Sequence, residues 1–68
     1  MKSKHIFNSL SYVEMDIVFN KFPELRNMPK RHYGYYWMEV PKTMRNDIGR
    51  FVRHCFKHKI DELKHWYN

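Results

Sequence analysis

Three histidines and an aspartate recur near the end of the chain: His54, His58, Asp61 and His65, at i, i+4, i+7 and i+11. On a helix this spacing puts all four on one face, and an i, i+4 histidine pair can chelate zinc, nickel or copper. A structural zinc site takes four ligands around one ion. His54 and His65 would stand about 16 Å apart at 1.5 Å per residue, so a single ion cannot reach all four unless a second chain contributes. The pattern is read as a solvated polar face, with no metal and no cofactor expected. Cys55 and His58 offer a thiol and an imidazole three residues apart, the pair a nucleophilic enzyme would use. On the same helix Cys55 falls among apolar neighbours and His58 on the polar side, so the two side chains diverge. Cys55 is therefore expected to be a small buried hydrophobe. The sequence holds no Gly-rich phosphate loop, paired carboxylates or Ser/His/Asp arrangement, and no enzyme activity is expected.

Binding chemistry is better represented. Asn46, Arg50, Arg53, Lys57 and Lys64 project within a stripe of about 60° on a continuous helical wheel. A helix with cations on one face can run along a phosphate backbone or enter a major groove. Upstream, Lys30, Arg31 and His32 abut Tyr33, Tyr35, Tyr36 and Trp37 in the segment KRHYGYYW. Cations beside rings suit single-stranded nucleic acid, because the cations neutralise phosphates while the rings stack on bases. The expected function is binding of nucleic acid, RNA or DNA. Lys30, Arg31, Tyr33, Tyr35, Tyr36, Arg50, Arg53, Lys57 and Lys64 are the candidate contacts. The alternative is a protein-binding regulator or inhibitor directed at an acidic surface of a host macromolecular machine, since Tyr, Trp, Met and Arg are also enriched at interface cores. Trp37 and about two neighbouring rings are assigned to the core and at least one tyrosine to the surface.

Composition agrees with either partner. Thirteen Lys and Arg against seven Asp and Glu give a formal net charge of +6 in 68 residues, which attracts polyanions and says nothing about fold. Aromatic residues make up 18% of the chain, too many for a disordered basic tail. The sequence contains one cysteine, so no internal disulfide can form, and a lone thiol suits a reducing compartment. The N-terminal stretch lacks the apolar region of a signal peptide, and no apolar run reaches the ~18 residues of a membrane span. A cytoplasmic protein with no membrane association is expected. Phe, Tyr, Met, Ile, Asn and Lys supply 32 of the 68 residues, and Ala and Gln are absent. These six residue types have AT-rich codons, which points to a phage or other mobile element and hence to a host cytoplasm.

The elements that must position these groups are few: a mainly α, small single domain over 1–68. Residues 1–8 are expected to be loose. Ser11 as N-cap and Glu14 at N3 form a capping box, with Leu10 and Met15 placed as a hydrophobic staple. A helix follows over 12–22, with Met15, Val18, Phe19 and Phe22 inward and Tyr12, Val13 and Ile17 widening the apolar stripe. Pro23 stops it, and one short turn follows before Pro29. Residues 33–40 are expected to be an aromatic extended loop, with a short β piece possible there. A long C-terminal helix over 42–66 comes last. Its first apolar arc is Met44, Ile48, Phe51, Val52 and Cys55. Its second is Phe56, Ile60, Leu63 and Tyr67, rotated by about 80°. The rotation predicts a new packing partner or a bend near His58. The 4-3-4 spacing of the second arc also resembles a short coiled-coil seam, a candidate homodimer contact.

Overall fold

A computed structural model describes residues 2–31 and 34–67, the side chains of 65–67 excepted. Among the described residues four helices and three 3-10 turns enclose one core, so the mainly α expectation holds. The N-terminal segment departs from expectation. Ser3–Asn8 form a helix, α1, whose Ile6 and Phe7 are fully buried. Six residues are too few for a helix to persist alone, so packing holds α1 in place. Its charged neighbours Lys2 and Lys4 disguise two core residues worth roughly 1.5–3 kcal/mol each when fully buried. The Phe7 ring meets Trp37 edge-on at a centroid distance of 5.4 Å. Where α1 crosses the later helix α3 (Arg45–Cys55), Ser3 lies against Gly49: a β-carbon built on that glycine would stand 3.1 Å from the serine Oγ.

Helix α2 spans Tyr12–Lys21 and begins as its sequence predicts. The Glu14 amide donates to Ser11 Oγ (3.2 Å), and the Ser11 amide donates to Glu14 Oε1 (2.9 Å). Met15, Val18 and Phe19 are buried, and Leu10 packs partly buried against the same core. Pro23 ends the helix at Phe22 and opens a 3-10 turn, Pro23–Asn27, that buries Leu25. The expected wide stripe does not form. Tyr12, Val13 and Ile17 are exposed, because the small core is already filled along one side of α2.

The aromatic segment forms no strand among its described residues. Arg31 and Gly34 exchange both backbone hydrogen bonds as an isolated antiparallel bridge. Gly34 there takes a φ of 126°, a value that L-residues other than glycine rarely adopt. Trp37–Glu39 then form a 3-10 turn. Among the described residues no second segment completes a ladder, and side chains satisfy the backbone instead. Asn8 Oδ1 accepts from the Trp37 amide at 2.8 Å. The Arg45 guanidinium donates to the carbonyls of Val40 (3.1 Å) and Met38 (3.3 Å).

A further 3-10 turn, Lys42–Met44, leads into α3, and α4 (Lys57–Tyr67) follows. The predicted single long helix is thus two. The break falls at Phe56, with φ −115° and ψ 39°, two residues before the expected bend. It explains the rotated apolar arcs. Ile48 and Val52 bury from α3, and Phe56 turns its ring into the core from the junction. Cys55, expected to be buried, is exposed, because the larger Phe56 takes the inward position at the point where α3 ends. Phe56 is spent in the chain's own core, with Ile60 and Leu63 packed against it. Three of the four proposed seam residues therefore already have intramolecular contacts, and the Tyr67 side chain lies outside the described residues.

Candidate functional site

The cationic residues of the predicted stripe remain on the surface, though not on one helix. Arg50 and Arg53 project from α3 and Lys57 and Lys64 from α4, all exposed. The break at Phe56 interrupts the wheel, so the row is divided between two short helices. Arg50 pairs with Asp47 at 3.2 Å and Lys64 with Asp61 at 3.6 Å, both as exposed i, i+3 contacts. Pairs of this kind are typically worth about 0.2–1 kcal/mol, little enough for a phosphate to displace the carboxylate. Lys57, His58, Ile60, Asp61 and Lys64 line an open depression along α4, with the two lysines about two helical turns apart in sequence and Ile60 and Asp61 between them.

The aromatic half of the predicted site is committed differently. Tyr35 is half-buried, its ring edge-on to Phe19 at 5.0 Å and to Tyr12 at 6.4 Å. Trp37 is held by Phe7 and faces the Arg45 guanidinium at 6.0 Å. Tyr36 is half-buried; Tyr33 and His32 lie outside the described residues. Arg31 forms an ion pair with Glu39. Lys30 sits over the Tyr12 ring, its Nζ 4.5 Å from the centroid. The structure thus brings Lys30 and Tyr35 together around Tyr12, a residue the sequence reading assigned to the core stripe.

His54, His58 and Asp61 are all exposed, and the His65 side chain lies outside the described residues. Among the described residues no group of three His, Cys, Asp or Glu side chains could hold a metal ion. His58 Nε2 lies 3.8 Å from Glu14 Oε2, so this histidine looks across to α2 instead of along its own helix.

That contact belongs to a junction the sequence reading missed. Lys59 Nζ reaches Glu14 Oε1 at 3.0 Å and the Ser9 carbonyl at 3.2 Å, tying the start of α4 to the start of α2. Partial burial raises the Glu14 carboxyl's pKa. The Ser11 amide and the Lys59 ammonium outweigh it, and the pKa lies below the ordinary 4.5. One signal was available: Lys59 interrupts an apolar arc, as a cation does when its target is a carboxylate inside the fold. Arg45 and Asn8, which also tie loops together, carry no comparable pattern.

Compared with protein-family models, curated proteins and solved structures, the chain matches none.

Proposed function

We propose that this chain is a small non-enzymatic protein that binds nucleic acid by gripping phosphates along the α3–α4 surface. The observation that carries the reading is the exposure of Arg50, Arg53, Lys57 and Lys64 on those two helices, in a chain of net charge +6. With Tyr35 and Trp37 engaged by the protein's own rings, base stacking is a lesser part of the mechanism. Lys30, Arg31 and Tyr36 add peripheral contacts. Such binding is insensitive to sequence and strongly salt-dependent, because each neutralised phosphate releases counterions. No helix among the described residues is long and apolar enough to cross a membrane; a cytoplasmic location, that of a host cell for a phage-encoded chain, belongs to the same proposal.

Fluorescence anisotropy of labelled duplex DNA, single-stranded DNA and single-stranded RNA across a salt series tests it. Four engaged cations predict a log–log salt slope near −3.6 on duplex, from about −0.9 per phosphate. Reversing Arg50, Arg53 and Lys57 to Glu together, with helicity intact by circular dichroism, should abolish binding. Unchanged affinity in that variant would sink the proposal. A marked preference for single strands would return the tyrosines to the centre of the mechanism.

The second reading, a protein partner, draws on a different face, the outward side of α2.

A further inference from the structure

A helix on the surface of a small domain needs one apolar side; α2 has two. Met15, Val18 and Phe19 face the core. On a wheel of 100° per residue, Val13 and Ile17 fall roughly opposite their centre, and they are 74% and 46% exposed. Tyr12, 52% exposed, extends the stripe sideways to Tyr35. Among the described residues no element buries this side.

The charges around the stripe indicate what would cover it. Lys30 stands over Tyr12 at one end. At the other, the Arg26 guanidinium lies over the Phe19 ring, 5.3 Å from its centroid, and its Nη2 donates to Asn20 Oδ1 at 3.0 Å; Asn20 projects about 60° from Ile17 on the wheel. Lys21 is exposed one turn beyond Ile17. Asp16 is the carboxylate on this side of the helix, Glu14 being turned toward Lys59. The stripe is thus an apolar strip about one and a half turns long, bordered by Asp16 and with cations at both ends. A second copy of the chain fits poorly, since in either orientation it sets cationic ends against each other. Strand addition is ruled out, because the α2 backbone groups are already bonded within the helix. We infer that the outward face of α2 docks an acidic amphipathic helix of a partner protein. Its apolar residues would pack on Val13, Ile17 and Tyr12, and its carboxylates would meet Lys30, Arg26 and Lys21. Its apolar anchors Val13 and Ile17 belong to α2 and not to the α3–α4 cations, so the domain would bridge a polyanion to an acidic protein, with Lys30 at the border of both contacts.

The test uses the full chain, isotope-labelled for amide NMR, and a synthetic amphipathic peptide of about 18 residues, long enough to hold some helix. The peptide carries leucines on one face and glutamates on the flanks; its counterpart has lysines in place of the glutamates. Saturable binding of the acidic peptide, with shifts centred on Tyr12, Val13, Ile17 and Lys30 and none from the basic peptide, is expected. Val13→Ser with Ile17→Ser, both exposed and charge-neutral, should weaken it about tenfold or more, since buried anchors dominate such interfaces. The same variant should keep its affinity for duplex DNA, which separates this inference from the phosphate-binding proposal. Equal affinity in the Ser variant, or shifts centred on Arg50, Arg53 and Lys57, would overturn it. So would a stripe-dependent dimer in analytical ultracentrifugation, or tighter stripe-dependent binding to anionic lipid vesicles than to the peptide.

Discussion

Glu14 shows how much one side chain does in so small a domain. Its carboxylate closes the capping box of α2 and accepts from Lys59 of α4. The neutral isostere Glu14→Gln keeps an oxygen for the Ser11 amide and loses the charge opposite Lys59. Hydrogen bonds to charged groups are worth about 1.5–3 kcal/mol, and solvent access at this edge lowers the figure to about 1 kcal/mol at neutral pH. The pH dependence has a definite sign. Glu14 has a folded-state pKa below 4.5, so its contribution is complete above that value and is lost as pH falls through the folded pKa. Urea unfolding of both proteins at neutral pH and in increasingly acid buffer should show the Glu14→Gln difference shrinking below pH 4.5. A difference independent of pH would mean the carboxylate is not held by Lys59. The Ser11–Glu14 half of this arrangement was readable from local spacing. The Lys59 half was not: its place on an apolar arc marks a cation turned toward the fold, but nothing local says which carboxylate, 45 positions away, it meets.

At the scale of elements, α1 is the piece least visible in the sequence and most exposed to single changes. Apolar periodicity needs several turns to show itself, and α1 has six residues with Ile6 and Phe7 adjacent. The same limit hid the break at Phe56: a wheel assumes an unbroken helix, and the 80° rotation of the apolar arcs was the only sign of the junction. The α1–α3 crossing gives a sharp test. Alanine in place of a helical glycine gains up to about 1 kcal/mol in propensity. At Gly49 the added methyl meets Ser3 Oγ at 3.1 Å, which offsets that gain. Gly49→Ala should therefore be near neutral in thermal unfolding. In a Ser3→Ala background, where the nearest atom is gone, the same change should stabilise by about 0.5–1 kcal/mol. Gly49→Val, too large for the crossing, should destabilise by about 1–3 kcal/mol. Additive behaviour of Ser3 and Gly49 would show that α1 does not lie against α3 at this point. The candidate site was half legible for a related reason. Residue type and charge locate Arg50, Arg53, Lys57 and Lys64 on the surface, whereas whether a ring is exposed depends on which distant rings it meets, as Tyr35 does with Phe19.

For the molecule as a whole, net charge opposes folding while it favours binding. A charge of +6 on a domain of radius of gyration 11.3 Å repels itself, and salt screens that repulsion within a Debye length of about 10 Å at 0.1 M. Salt also weakens the ion pairs Glu14–Lys59, Arg31–Glu39, Arg50–Asp47 and Lys64–Asp61, but these are local contacts against an excess of cations spread over every helix. The unliganded protein should therefore melt higher in 0.5 M than in 0.02 M salt, by a few degrees, since about 1 kcal/mol shifts the midpoint of a domain this size by 4–8 °C. Duplex DNA should reverse the trend. At about one hundred times Kd a ligand of the folded state adds about 2.7 kcal/mol, enough to raise the midpoint by roughly 10 °C or more at low salt, and that gain should vanish at high salt as phosphate contacts are lost. The two melting curves plotted against salt should converge from opposite directions. If the unliganded midpoint falls with salt, the specific ion pairs outweigh the repulsion, and the surplus cations are already compensated within the fold. If DNA gives no low-salt stabilisation, those cations do not act on phosphates, and the acidic-partner face of α2 becomes the main functional surface.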